Sequence, residues 1–233
     1  MLDLSPADLE AIALSLKVGA WSVVCSLPFA FGLAYVLARV EFAFKPVVSA
    51  AILLPLVLPP VVTGFFLLLA FGKNGPIGEI LDQWFGITVA FKWTGAVIAA
   101  AIMGLPLMVM GMRISIESVD RRLEMAARTL GAGPWRTFFT VTLPLSLPGI
   151  LAGSILSFAR SFGEFGATIT FVSNIPGETR TLPIAIYALL QTPSGDSAAL
   201  KLSLVAIAIA LIAIVIAEVL NRRLPKTHER DDA

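Results

Sequence analysis

Between Leu202 and Leu220 the sequence is apolar except for Ser203 and Glu218, and a run of that length cannot be the surface helix of a water-soluble domain. The hydrocarbon core of a bilayer, about 30 Å thick, is crossed by roughly 20 apolar residues as helix. Further segments qualify, so spans are predicted at about 12–38, 47–71, 93–115, 148–172 and 199–220. With 57% hydrophobic residues, 14% charged residues and a mean hydropathy of +0.88, the composition lies far from soluble-domain averages. A transmembrane β-barrel would need segments of about ten residues in strict alternation, and these are absent. The sequence predicts an all-α integral membrane protein: residues 1–233 form one transmembrane domain of five helices, with a polar loop at 116–147.

The N-terminus does not read as a signal peptide. Asp3, Asp8 and Glu10 occupy the place of a basic leader region and no cleavage pattern follows, so the segment is expected to stay attached. Ser5-Pro6-Ala7-Asp8 predicts a helix start instead, with Ser5 as N-cap, Pro6 in the first turn and Asp8 closing a capping box.

Orientation follows from the basic residues flanking the spans. One side would carry Arg39, Lys45, Arg113, Arg121, Arg122, Arg128, Arg136, Arg222, Arg223, Lys226 and Arg230; the other has Lys17, Lys73, Lys92, Arg180 and Lys201. The richer side is predicted to be cytoplasmic, which puts the N-terminus outside and the C-terminus inside. The net charge of +1 hides this asymmetry, which concerns anionic headgroups rather than nucleic acid.

Covalent and metal chemistry find few residues to use. The lone cysteine, Cys25, falls inside the first span and is expected to pack there; the lone histidine, His228, falls in the polar tail. Neither a disulfide within the chain nor a Cys/His metal cluster is possible. No GxxxxGK[ST] phosphate loop occurs, so the chain is not expected to hydrolyse ATP by itself.

Several residues within the spans stand out. Pro55, Pro59 and Pro60 in the second segment and Pro106 in the third remove backbone donors, and both helices are predicted to kink. Such prolines either shape a pathway, with Thr63 beside them, or reflect the frequency of proline in membrane helices. Gly149, Gly153, Ala159, Gly163 and Gly166, at three- and four-residue spacings, predict close helix contact, within or between subunits. Arg160 and Glu164 share a helical face and are expected to pair. Charges at membrane depth cost several kcal/mol and face a bundle interior or a wet cavity. The pair fits either a structural, self-neutralising role or one in which Arg160 lends positive potential to an anion route while Glu164 holds it.

The loop carries its own punctuation. Asp120 is a fair N-cap for a short helix, Arg121–Leu130, and Gly131 is placed to end it in the left-handed conformation. Gly133-Pro134 then starts a second short helix, Trp135 to Thr140, which Leu143-Pro144 is expected to stop. Two short helices at an angle would present Ala126, Ala127 and their neighbours to a partner. An amphipathic segment on the membrane surface is the other reading, although Glu117, Asp120 and Glu124 interrupt its basic residues.

The spacing Ala126-Ala127, Gly131, then Val141-x-Leu143-Pro144 resembles the EAA loop of ABC importer permeases, with Met125 at the position of the family's glutamate, Glu124 one place earlier and Val141 for isoleucine. Leu58-Pro59-Pro60-Val61-Val62-Thr63-Gly64, the stretch Ala159–Thr168 and Asn174–Pro183 are similar to the molybdate permease branch. The resemblance implies a type I importer permease in a bacterial cytoplasmic (inner) membrane. Two copies would form the path, and two ABC ATPase subunits would bind ATP and Mg and dock at the loops. An external molybdate-binding protein would deliver the anion, with no cofactor on this chain itself. It implies a coupling surface of Asp120, Glu124, Met125, Ala126, Ala127, Arg128, Leu130, Gly131, Ala132, Gly133 and Trp135. Candidates for the path are Pro59, Pro60, Thr63, Arg160, Gly163, Glu164 and Gly166. Many relatives carry a sixth, N-terminal helix where this chain shows five.

Alternating access is the implied mechanism, with the loop helix moving against segments three and four. The outward loops 72–92 and 173–198, with Trp84, Trp93, Glu178, Tyr187 and Asp196, would meet the binding protein or form an aromatic interface belt. A sulfate, thiosulfate or tungstate permease stays open as an alternative. So does an ATP-independent anion transporter or channel, although it leaves the loop unexplained. An intramembrane enzyme ranks below both, because no nucleophile and base can be assembled from the spans.

Overall fold

The computed structural model describes residues 4–222; Asp3, Arg223, Lys226, His228 and Arg230 lie outside the described residues. The described chain is helical throughout: α1 (Pro6–Arg39), α2 (Lys45–Val57), α3 (Pro60–Phe71), α4 (Pro76–Phe85), α5 (Trp93–Glu117), α6 (Arg121–Thr129), α7 (Pro134–Thr137), a π-turn (Phe138–Thr142), α8 (Leu143–Phe162), α9 (Gly166–Val172), α10 (Leu182–Leu190) and α11 (Asp196–Asn221). Four helices are long and apolar enough to cross a membrane, or five if the bent pair α2 and α3 counts as one span. The capping box forms as expected: Asp8 N–H donates to Ser5 Oγ at 3.2 Å and Ser5 N–H to Asp8 Oδ2 at 2.9 Å.

Three expectations about helix boundaries need correction. Residues 47–71 are two helices bent by 109° at Leu58-Pro59, a break and not a kink. Consecutive prolines suit that break, since neither has an N–H to leave unpaired; Pro59 C=O then accepts from the N–H groups of Val62 and Thr63. Residues 148–172 are not one helix: α8 ends at Phe162, and α9 starts only at Gly166. Leu143-Pro144 does not stop the helix after Gly133, because α7, the π-turn and α8 run on continuously as Pro134–Phe162. Pro144 cannot donate to the carbonyl four residues back, and the widened turn before it, where Leu143 N–H reaches Phe138 C=O, accommodates the ring. By contrast, α5 passes through Pro106 without interruption.

α5 is the axis of the bundle, packed between α1 and α8, with α11 outside α8, and α3 lying along α9. The α5–α8 seam is built from small residues. A Cβ on Gly111 would lie 2.9 Å from Gly153 Cα, and one on Gly149 would collide with Ser115 Cβ. Ser115 Oγ donates to Ser146 C=O at 2.9 Å and Ser161 Oγ to Ala100 C=O at 3.0 Å, adding interhelical hydrogen bonds to the close packing. Above and below the seam lie apolar clusters around Met103 and Phe171 and around Met108 and Met112. Within the chain Gly163 has no such close neighbour: it is exposed, and only carbonyls of its own helix come within 4.0 Å of its would-be Cβ. Cys25 is exposed on α1, not packed as expected.

Gly149→Ala is expected to lower stability by about 1–3 kcal/mol through overpacking, whereas Gly163→Ala should stay within about 0.5 kcal/mol of the parent. Thermal unfolding in detergent followed by circular dichroism measures both, and equal midpoints would contradict the seam.

Candidate functional site

The path candidates converge on the place where two broken helices meet. α3 begins at Pro60 and α9 at Gly166, and a Cβ on Gly166 would lie 2.8 Å from Pro60 Cβ and 3.4 Å from Val61 N. A turn further on, a Cβ on Gly64 would meet Ala167 Cα at 2.9 Å. Glycine is required at both positions by the approach of the two backbones.

Glu164 holds this junction. Its Oε2 accepts from Arg160 Nη1 at 2.6 Å, and its Oε1 accepts the Ala167 N–H, in the first turn of α9, at 2.9 Å. The expected pair is present, and the carboxylate also caps a helix. Exposure is uneven: the Glu164 side chain is 2% exposed and that of Arg160 27%. The carboxylate is thus sequestered, while the guanidinium is partly exposed. Thr63 is buried and its hydroxyl has no partner among the described residues; it borders an apolar cleft of about 330 Å³ between α2 and α3, with Leu54, Leu58 and Phe66.

The second candidate region is the loop. Asp120 caps α6 by accepting Arg122 N–H at 2.8 Å. At the other end Ala132 N–H reaches Ala127 C=O and Gly131 N–H reaches Arg128 C=O, each at 3.0 Å, the paired bonds of a Schellman motif. Gly131 has φ +86° with open space around it, so backbone conformation and not packing demands glycine. Met125, Ala126, Arg128, Leu130, Gly133 and Trp135 are exposed, Leu130 at 89% and Trp135 at 76%, while Ala127 and Ala132 are half-buried. Glu124 turns the other way, and its Oε1 accepts from Arg39 Nη2 at 2.9 Å and from Thr142 Oγ1 at 2.7 Å. Nearby, the hydrogen bond and positive charge of Lys45 hold the exposed Glu41 carboxyl below the usual carboxylate range.

Sequence reasoning missed the ties of the opposite loop. Glu178 Oε1 accepts Trp93 N–H at 3.2 Å, Lys17 Nζ lies 3.6 Å from the Trp93 ring centroid, and Leu182 N–H donates to Ser15 Oγ at 2.6 Å. It also missed α4 and α10, although Gly75-Pro76, Gly86 at φ +63° and Thr181-Leu182-Pro183 are legible start and stop signals. Among the described residues no three His, Cys, Asp or Glu side chains group as metal ligands.

Because Glu164 also caps α9, exchanging the pair as Arg160→Glu with Glu164→Arg is expected to destabilise the protein by about 3–5 kcal/mol, the cost of an uncompensated buried group. Glu164→Gln keeps an acceptor for Ala167 and should be milder. Unfolding midpoints for both test this; an exchanged protein as stable as the parent would reduce Glu164 to a simple ion-pair partner.

The family model described as binding-protein-dependent transport system inner membrane component matches residues 26–226. The molybdenum transport system permease protein ModB of Escherichia coli (strain K12) is 57% identical over 219 residues, covering 94% of this chain and 96% of that protein. Its namesake in Haemophilus influenzae is 53% identical over 219 residues, with the same coverage. Among solved structures, a bacterial alginate ABC transporter in complex with an alginate pentasaccharide-bound periplasmic protein shares the fold, with a TM-score of 0.72 at 20% identity over 97% of this chain and 82% of that one.

Proposed function

The chain belongs to the binding-protein-dependent transport system inner membrane components, and on that premise we propose the following working assembly for it. The protein is the inner-membrane permease subunit of an ABC importer, and its substrate is molybdate. The observation that carries the substrate is the 57% identity to a molybdenum permease over 94% of the chain. An ATP-independent anion carrier is not favoured, since the permease relatives and the fold are those of ABC importers.

In the proposed assembly two copies enclose the path, each as a single transmembrane domain with the N-terminus outside and the C-terminus in the cytoplasm. The excess of arginine around α6 supports that orientation. Two ATPase subunits, holding ATP and Mg, dock on the exposed residues of α6 and the turn after it, Met125, Ala126, Arg128, Leu130, Gly133 and Trp135. Asp120 and Gly131 fix the ends of that helix. An external molybdate-binding protein meets the loops carrying α4 and α10, and the ties of the second loop to α1 and α5 suit a firm docking surface.

The anion passes the junction of α3 and α9. Arg160 attracts it electrostatically, Glu164 holds Arg160 in place, and Pro59, Pro60, Gly163 and Gly166 keep the backbone broken there. The N-terminus of α3 adds a favourable dipole end for an anion. Molybdate is a tetrahedral dianion like sulfate, so the path supplies charge and size while the binding protein supplies selection.

Labelled molybdate uptake into proteoliposomes holding this chain, its ATPase and the binding protein is expected to require ATP and to resist excess sulfate. Uptake indifferent to ATP would overturn the importer reading, and uptake abolished by sulfate would move it to a broader oxyanion permease. In the same assay Gly131→Val, strained by about 1–2 kcal/mol at its positive φ, is expected to uncouple hydrolysis from uptake or release the ATPase. Unchanged assembly and uptake would remove Gly131 from the coupling scheme.

A further inference from the structure

The hydrogen bonds that leave α6 for the rest of the bundle converge, among the described residues, on one oxygen, Glu124 Oε1. Its donors belong to different elements: Arg39 is the last residue of α1, and Thr142 ends the π-turn. Arg39 Nη2 also donates to Val119 C=O at 3.2 Å, drawing in the segment between α5 and α6. With side chains 9% and 16% exposed, Arg39 and Glu124 are largely shielded from water, unlike a surface pair that solvent would screen.

The two elements that Glu124 grips are themselves joined. Tyr35 and Phe31 of α1 pack edge-on against Phe138 of the π-turn, with ring centroids 5.6 Å and 5.7 Å apart. The end of α1 and the widened turn therefore form one packed body, and α6 is fastened to it through a single carboxylate. Single-turn π insertions recur at functional sites and are places where a helix can change its winding.

We infer that Glu124 is a positioning residue inside the permease: it fastens α6 to α1 and the π-turn, so that a partner displacing α6 moves both. This rests on the importer reading above and assigns ATPase contact to the exposed residues around Glu124, not to Glu124 itself. A carboxylate is suited to the task because it accepts from a guanidinium and a hydroxyl at once, with charge strengthening both bonds.

The test uses the assembled complex with spin labels at Val40→Cys, an exposed position just past α1, in a Cys25→Ala background. The separation between the two labelled copies is measured by pulsed electron double resonance without nucleotide and with a non-hydrolysable ATP analogue, alongside molybdate taken up per ATP hydrolysed. In the parent the separation is expected to change with nucleotide. In Glu124→Gln the ATPases should still co-purify, while the nucleotide-dependent change and the uptake per ATP should both fall severalfold, since the amide keeps an acceptor but loses the charge that strengthens both bonds. A Glu124→Gln complex that keeps both the response and the uptake ratio overturns the proposal, and so does one that sheds its ATPases, since Glu124 would then lie in the docking surface. A parent that takes up molybdate with ATP while the Val40 separation stays fixed overturns this proposal alone. A parent without ATP-driven uptake overturns the importer reading and the proposal with it.

Discussion

A helix that ends within apolar surroundings leaves backbone donors without partners, and in lipid no water is present to satisfy them. The structure meets this constraint at two breaks and makes each break support the other. At the first, Pro59 and Pro60 have no N–H and Pro59 C=O accepts from Val62 and Thr63, and at the second Glu164 supplies an acceptor to Ala167 N–H. The breaks abut through Gly166 and Pro60, so α3 and α9 start side by side. A carboxylate serving a helix terminus needs a counter-charge at such depth, and Arg160 follows from Glu164 for that reason.

The remainder of the bundle supplies the rigidity that makes such a junction tenable. Because lipid tails compete with apolar side chains on equal terms, α5 and α8 are held by close approach and by serine hydroxyls bonded across the seam. The same seam connects the junction at one end of α8 with the π-turn at the other, since α7, the π-turn and α8 form one continuous rod.

Much of this was legible in the sequence wherever the deciding interaction is local. Apolar runs mark the long helices, and rules spanning five residues or fewer located the Ser5 capping box, the Asp120 N-cap and the positive φ of Gly131. Proline announced an interruption at 59–60 but carries no information on the angle, which tertiary packing against α9 sets. Gly163, Glu164 and Gly166 were read as part of a helix because the residues on either side are apolar; nothing within the segment shows that Glu164 reaches forward to Ala167 as well as back to Arg160. Pro144 was read as a stop because a regular α-turn cannot accept it, and only the widened turn makes continuation possible.

The pairing of Arg39 with Glu124 lay beyond any local rule, since the two are 85 residues apart in the chain. Helical phase explains why comparing motifs letter by letter would misplace the acid. Adjacent residues in a helix point about 100° apart, and in α6 that angle separates the half-buried Glu124, facing Arg39, from Met125, which is 57% exposed. A carboxylate at 125 would face solvent or a partner; moved by one position, the same group faces the bundle and binds two of its elements. The acid in this loop is thus assigned by which side of α6 it occupies, and the exposed surface here carries the apolar side chains of Met125, Leu130 and Trp135 beside the cation of Arg128.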